Sequence, residues 1–233
     1  MENSVKFLFS GDSALVIEFG NEISVDINKK IRKMMDSIKK ENIDGIIELV
    51  PTYCSLLVNY DVLKVDYQSL VEKLKTLLND DNETVEDEEV TLIEIPTLYN
   101  DECGPDLSYV AEYNKLSKEE VIKIHTGTDY LVYMLGFMPG FTYLGGMSEK
   151  IATPRLESPR LQIYPGSVGI AGKQTGMYPS MSPGGWRIIG RTPLKLYNPN
   201  SETPVYISSG DYIRYVSISE EEYNNILKKV ENN

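Results

Sequence analysis

Four groups of residues have the types and spacing to do chemistry. The stretch Leu135-Gly136-Phe137-Met138-Pro139-Gly140-Phe141-Thr142-Tyr143-Leu144-Gly145-Gly146 sets glycines and a proline among aromatic residues. Glycine permits positive φ and close backbone approach, and Pro139 fixes its own φ. Gly136, Phe137, Pro139, Gly140 and Phe141 could thus frame a rigid pocket rim whose backbone amides bind an oxyanion. The same residues equally suit a tight turn between core strands. Further on, Ser182-Pro183-Gly184-Gly185-Trp186-Arg187-Ile188-Ile189-Gly190-Arg191-Thr192-Pro193 carries two arginines four apart beside the only tryptophan. A guanidinium is a fork suited to carboxylate or phosphate. On a strand, positions i and i+4 share a face, so Arg187 and Arg191 could reach one anion together. They could also be surface arginines, one of them stacked on Trp186.

The third group, Gly166-Ser167-Val168-Gly169-Ile170-Ala171-Gly172-Lys173-Gln174-Thr175-Gly176, superficially resembles a phosphate loop. It is not GxxxxGK[ST], because Gln174 stands where the serine or threonine belongs, and it holds no GxGxxG. Gln174 and Thr175 could still hydrogen-bond a small polar ligand; a glycine-rich barrel corner fits as well. The fourth is His125, the only histidine. It ends a helix, where imidazole favours the negative pole of the dipole. A neutral-range pKa also suits it to proton transfer. No Ser-His-Asp arrangement or GxSxG elbow accompanies it. One histidine, with Cys54 and Cys103 lacking CxxC spacing, gives no metal centre, and so few cysteines fit a reducing cytosol.

The elements that must position these residues fall into two regions. Strands are expected at 5–10 and 13–19, a helix over Asp26–Lys40, strands at 46–50 and 55–60, then a helix capped by Asp66. This β-β-α-β-β-α order, followed by a strand at 90–96, suggests an α+β sandwich of ferredoxin-like type. Residues 80–89 carry seven acids and no base, which marks a linker. The boundary is therefore placed there, giving domains 1–88 and 89–233. Ser117 and Glu120 form a capping box for a helix reaching His125, and 129–135 is strand-like. Residues 134–199 then hold 11 of the 17 glycines and 8 of the 12 prolines. Short strands expected at 162–164, 168–171, 186–190, 194–197, 205–207 and 212–216 read as a β-barrel or sandwich, closed by a helix over Ser219–Val230.

Net charge is −12, which disfavours nucleic acid and anionic lipid. Yet residues 134–199 set seven bases against two acids, an excess of five, which invites a small anion there. No apolar run reaches the length of a spanning helix, and the first residues lack the pattern of a signal peptide. A soluble, cytoplasmic protein is expected.

Taken in order, these motifs resemble a known family. Gly11-Asp12-Ser13-Ala14-Leu15, His125…Tyr130, Gly136-Phe137-Met138-Pro139-Gly140-Phe141, Ala152-Thr153-Pro154-Arg155, Gly166–Gly172, Gln174-Thr175-Gly176 and Ser182–Trp186 with Gly190–Pro193 are similar to the signature series of one family. It unites KipI, the B subunit of 5-oxoprolinase and the first subunit of allophanate hydrolase. Met138 and Thr142 depart from the series, standing where leucine and proline are expected. The resemblance implies a ferredoxin-like N-terminal domain and a cyclophilin-like β-barrel C-terminal domain. It implies the B component of an ATP-dependent 5-oxoprolinase, a complex that converts 5-oxo-L-proline to L-glutamate. Its partners there are the A component and a KipA-like C component, the latter paired with this chain as a heterodimer. The resemblance also makes His125 a catalytic candidate. Two other roles occur in the family: inhibition of a sporulation histidine kinase, and a component of allophanate hydrolase or urea amidolyase.

Overall fold

The computed structural model describes residues 5–79 and 91–231. The acidic run at 80–89 lies outside the described residues. The chain divides into two compact units, Met1–Glu89 and Val90–Asn233, each with its own buried apolar cluster.

The first unit holds strands β1 (Lys6–Phe9) and β2 (Ala14–Glu18), helix α1 (Val25–Glu41), strands β3 (Ile46–Pro51) and β4 (Ser55–Tyr60), and helix α2 (Tyr67–Asn79). The strands form one antiparallel sheet in the order β1-β2-β4-β3. Helix α1 starts where the Ser24 hydroxyl accepts from the Asp26 amide. It stops at Asn42, whose left-handed backbone turns its amide back to the carbonyls of Ile38 and Lys39. Ile27, Ile31, Met34 and Ile38 line its buried stripe and pack with Leu15, Ile17, Leu56, Val58, Leu70 and Leu74. Each fully buried side chain of this kind contributes about 1.5–3 kcal/mol.

The second unit begins with β5 (Leu92–Thr97), α3 (Leu107–Tyr113), α4 (Lys118–Thr126), β6 (Asp129–Leu135) and β7 (Thr142–Gly145). It continues through β8 (Arg160–Ile163), β9 (Ser167–Ala171), β10 (Gln174–Met177), β11 (Ser182–Gly184), β12 (Arg187–Arg191), β13 (Tyr212–Ser217) and α5 (Glu220–Glu231). Both arms of the Ser117/Glu120 capping box are present at α4. One sheet runs β5-β13-β6-β7, with β13 parallel to β5; another runs β10-β9-β12; β11 pairs with β8. Among the described residues these sheets do not join into the one closed barrel expected. The segments expected as strands at 194–197 and 205–207 are irregular, since Pro193, Pro199 and Pro204 donate no ladder hydrogen bonds. Leu196 and Ile207 nonetheless bury their side chains in the core. Helix α3 was not expected at all: it is one seven-residue segment, and its N-cap Asp106 makes no capping bond.

Candidate functional site

His125 sits on the last turn of α4, wholly buried, with Tyr215 4.4 Å from its ring centroid. Its Nδ1 is 2.8 Å from the Tyr99 hydroxyl and its Nε2 is 2.8 Å from Thr175 Oγ1. The Thr175 hydroxyl donates to the Gly169 carbonyl at 3.0 Å. Its one proton being committed, Thr175 must accept from imidazole, which places the histidine proton on Nε2 and leaves Nδ1 to accept from Tyr99. Burial pushes the His125 pKa from 6.5 down to about 3 and raises the Tyr99 and Tyr215 phenols. A neutral imidazole with both nitrogens engaged is an internal brace. The acid or base expected at His125 is closed off in this arrangement: both ring nitrogens are engaged and neither faces solvent.

The two arginines part company as well. In the pairing of β12 with β9, Arg187 faces Ile170 and Arg191 faces Ser167, with a bulge between Ile188 and Gly190. The extra residue breaks the alternation, so a spacing of four no longer means one face. Contacts agree with the register. Arg187 lies 3.7 Å over the Tyr109 ring on α3, and its Nε donates to the Pro154 carbonyl at 3.3 Å. Arg191 lies toward the Tyr164 ring, 5.1 Å away, and its Nε is buried without an acceptor. The expected joint grip of Arg187 and Arg191 on one anion is therefore not formed.

Arg187 has other company. Asp106, with an 8% exposed side chain, accepts two hydrogen-bond-length contacts of 2.9 Å from the Arg160 guanidinium, and the Ile188 amide at 2.7 Å. The Asp106 amide also donates to the Ile188 carbonyl at 2.9 Å. This carboxylate thus seats the start of α3 on the free edge of β12. Arg187 Nη1 stops 3.9 Å from it. Nothing in local spacing announces the arrangement, because its partners lie 54 and 82 residues apart. The only usable signals were the basic excess of the segment and Arg155 in Ala152-Thr153-Pro154-Arg155.

The Gly136–Phe141 turn joins β6 to β7. Phe137 at its tip is 65% exposed with φ 66°, a left-handed conformation that costs a non-glycine residue energy. Gly140 has φ 83°, and a Cβ there would sit 3.1 Å from the Leu196 carbonyl oxygen. Phe141 is buried against Tyr143, Tyr178 and Trp186. Both readings of this turn hold in part: Phe141 is core, while Gly136, Phe137 and Pro139 form an outward rim. Gln174 opens β10 opposite Ala171, one residue before Thr175. Its side chain shares a face with Ala171, which packs with Phe141, and not with Ile170, which faces Arg187.

Residues 5–207 match the family described as "Carboxyltransferase domain, subdomain C and D". The chain is 46% identical over 222 residues to the 5-oxoprolinase B subunit of Bacillus subtilis, covering 91% of this chain and 92% of that one. The chain belongs to the family of carboxyltransferase subdomains C and D that includes this 5-oxoprolinase component. Among solved structures, a conserved protein of Pyrococcus horikoshii, PH0987, is 50% identical and covers 94% of this chain and 100% of its own, with a TM-score of 0.56. The structure of TTHA0988 aligns at a TM-score of 0.79 and 32% identity, covering 88% of this chain and 40% of its own. In this chain helices and several sheets are combined in a mixed α/β fold.

Proposed function

We propose that the chain is the B component of a 5-oxoprolinase, acting with the A and C components to hydrolyse 5-oxo-L-proline to L-glutamate at the expense of ATP. The observation that carries this reading is the match to a 5-oxoprolinase B component along nearly the full length of both chains. Lactam hydrolysis by water is slow because the amide is stable, so activation by phosphoryl transfer is chemically sensible. We read the first unit as ferredoxin-like, domain 1–88, and the second as cyclophilin-like, domain 89–233. Two free thiols, Cys54 and Cys103, suit a reducing cytoplasm.

The glycine-rich segment does not fit the nucleotide. Its amides are spent within the protein: Gly166 on the Tyr178 carbonyl at 2.7 Å, Gly172 on that of Thr153 at 2.8 Å. They form no cradle for phosphates, and no nucleotide chemistry is assigned to them. On this chain the substrate contacts we propose are Gly136, Phe137, Pro139 and Gly140 of the turn, with Phe141 holding them from the core, and separately Arg187. Gln174 and Arg191 sit on the other face of the sheet from Arg187, and His125 braces α4 beneath.

Co-expression tests the reading. The chain should co-purify with the KipA-like C component as a stable heterodimer. A chain that ignores that partner and inhibits a sporulation histidine kinase on its own would be KipI-like instead.

A further inference from the structure

Arg187 has only a long ion pair, 3.9 Å, to a carboxylate that it shares with Arg160. Its side chain is 13% exposed, so most of its hydration is gone. Stranding a charge in this way is costly unless a partner compensates. The one carboxylate nearby, Asp106, is already engaged by Arg160 and the Ile188 amide. Arg187 stands 3.9 Å from it, too far for a hydrogen bond. The Tyr109 ring supports one guanidinium face and the Pro154 carbonyl takes Nε. These contacts fix the fork in place, yet among the described residues neither terminal nitrogen has an acceptor at hydrogen-bonding distance.

The surroundings add charge of the same sign. Arg160 keeps a 31% exposed side chain after pairing with Asp106. Arg155, one residue beyond the Pro154 carbonyl that holds Arg187, is exposed and forms no ion pair among the described residues. Arg155 and Arg160 both lie near enough to the Tyr178 phenol to oppose the rise that burial gives its pKa. Two guanidiniums, those of Arg160 and Arg187, face the one Asp106 carboxylate, in a protein whose net charge is −12.

We propose that Arg187, held by Tyr109 and Pro154 beside Arg160, with Arg155 next in the chain after Pro154, is a subsite for a small oxyanion. The shared chemistry is a planar or tetrahedral group of anionic oxygens able to accept hydrogen bonds from the two unused terminal nitrogens in bidentate fashion. Two sources offer it: the carboxylate of 5-oxoproline, and the phosphoryl group of an activated intermediate. Asp106 is a positioning residue, since it sets Arg160 and the edge of β12 without touching the ligand. This subsite rests on the 5-oxoprolinase reading for its choice of ligand, but not for its existence.

The test is direct binding to the full chain, measured by calorimetry and by NMR line shifts. The probes are 5-oxo-L-proline, 2-pyrrolidinone (the same lactam without its carboxylate) and inorganic phosphate. Binding of 5-oxoproline without binding of 2-pyrrolidinone assigns the carboxylate; binding of phosphate alone assigns the phosphoryl group. In either case Arg187→Gln should raise Kd at least tenfold and Arg155→Ala about threefold, with weaker binding at higher salt. If Arg187→Gln does not fold, Arg155→Ala and the salt dependence still decide. No saturable binding of either anion, or Kd unchanged in the variants, overturns the subsite. Turnover of the reconstituted complex is read separately. A complex that turns over 5-oxoproline while this chain binds neither anion would sink the subsite and leave the proposed function standing.

Discussion

Histidine 125 shows how far a residue type alone can mislead. Its neutral-range reference pKa suggested proton transfer, but the fold buries it between Tyr99 and Thr175 and drives its pKa to about 3. The consequence is a stability that depends on pH. Between about 3 and 6.5 the unfolded chain binds a proton on this ring and the folded chain does not. Folding stability from this group is therefore complete above about 6.5 and falls as pH drops toward 3. Chemical denaturation of the protein should show that fall, and His125→Gln should flatten it relative to the parent across the same window. The substitution should also destabilise at neutral pH by about 1–3 kcal/mol for each buried partner left unpaired. An unchanged pH slope in His125→Gln would show that the ring is solvated. At this scale the sequence disclosed which residues could do chemistry, and Arg187 is the one for which we propose that role. It could not disclose that Asp106, Arg160 and Tyr109 surround Arg187, because those contacts span tens of residues and follow no local period.

Elements with a strong local signature were legible. Helix α1 follows from its apolar stripe, and α4 from its capping box. What escaped were features that only tertiary contact decides. The β12 bulge turns Arg191 away from Arg187, although the sequence spacing suits a shared face. Helix α3 exists because Asp106 docks its start on the edge of β12. Gly104 makes that docking possible: a Cβ there would fall 2.1 Å from the Ile189 carbonyl oxygen. Gly104→Ala must push the segment off β12, at a cost of about 1–3 kcal/mol or more, as for other overpacked sites. Thermal unfolding should show a clear drop in Tm. Gly172→Ala should cost less, because its Cβ would meet open space and only its φ of 60° opposes the change. Equal effects from the two substitutions would contradict the docking geometry.

On the scale of the whole molecule, two units each bury a separate core. Composition foreshadowed the contrast between them, since glycine and proline crowd into residues 134–199. The closed barrel expected there is not formed among the described residues, because closure depends on long-range strand pairing that local patterns do not fix and that short strands and bulges leave open. In the proposed complex this chain supplies an oxyanion grip at Arg187. Most directly, L-glutamate release from 5-oxo-L-proline should be measured with the purified chain alone, and again with the A and C components and ATP. The account predicts no turnover above background for the chain alone and ATP-dependent glutamate formation only in the full mixture. Robust hydrolysis by the isolated chain, or none by the complete complex, would contradict it.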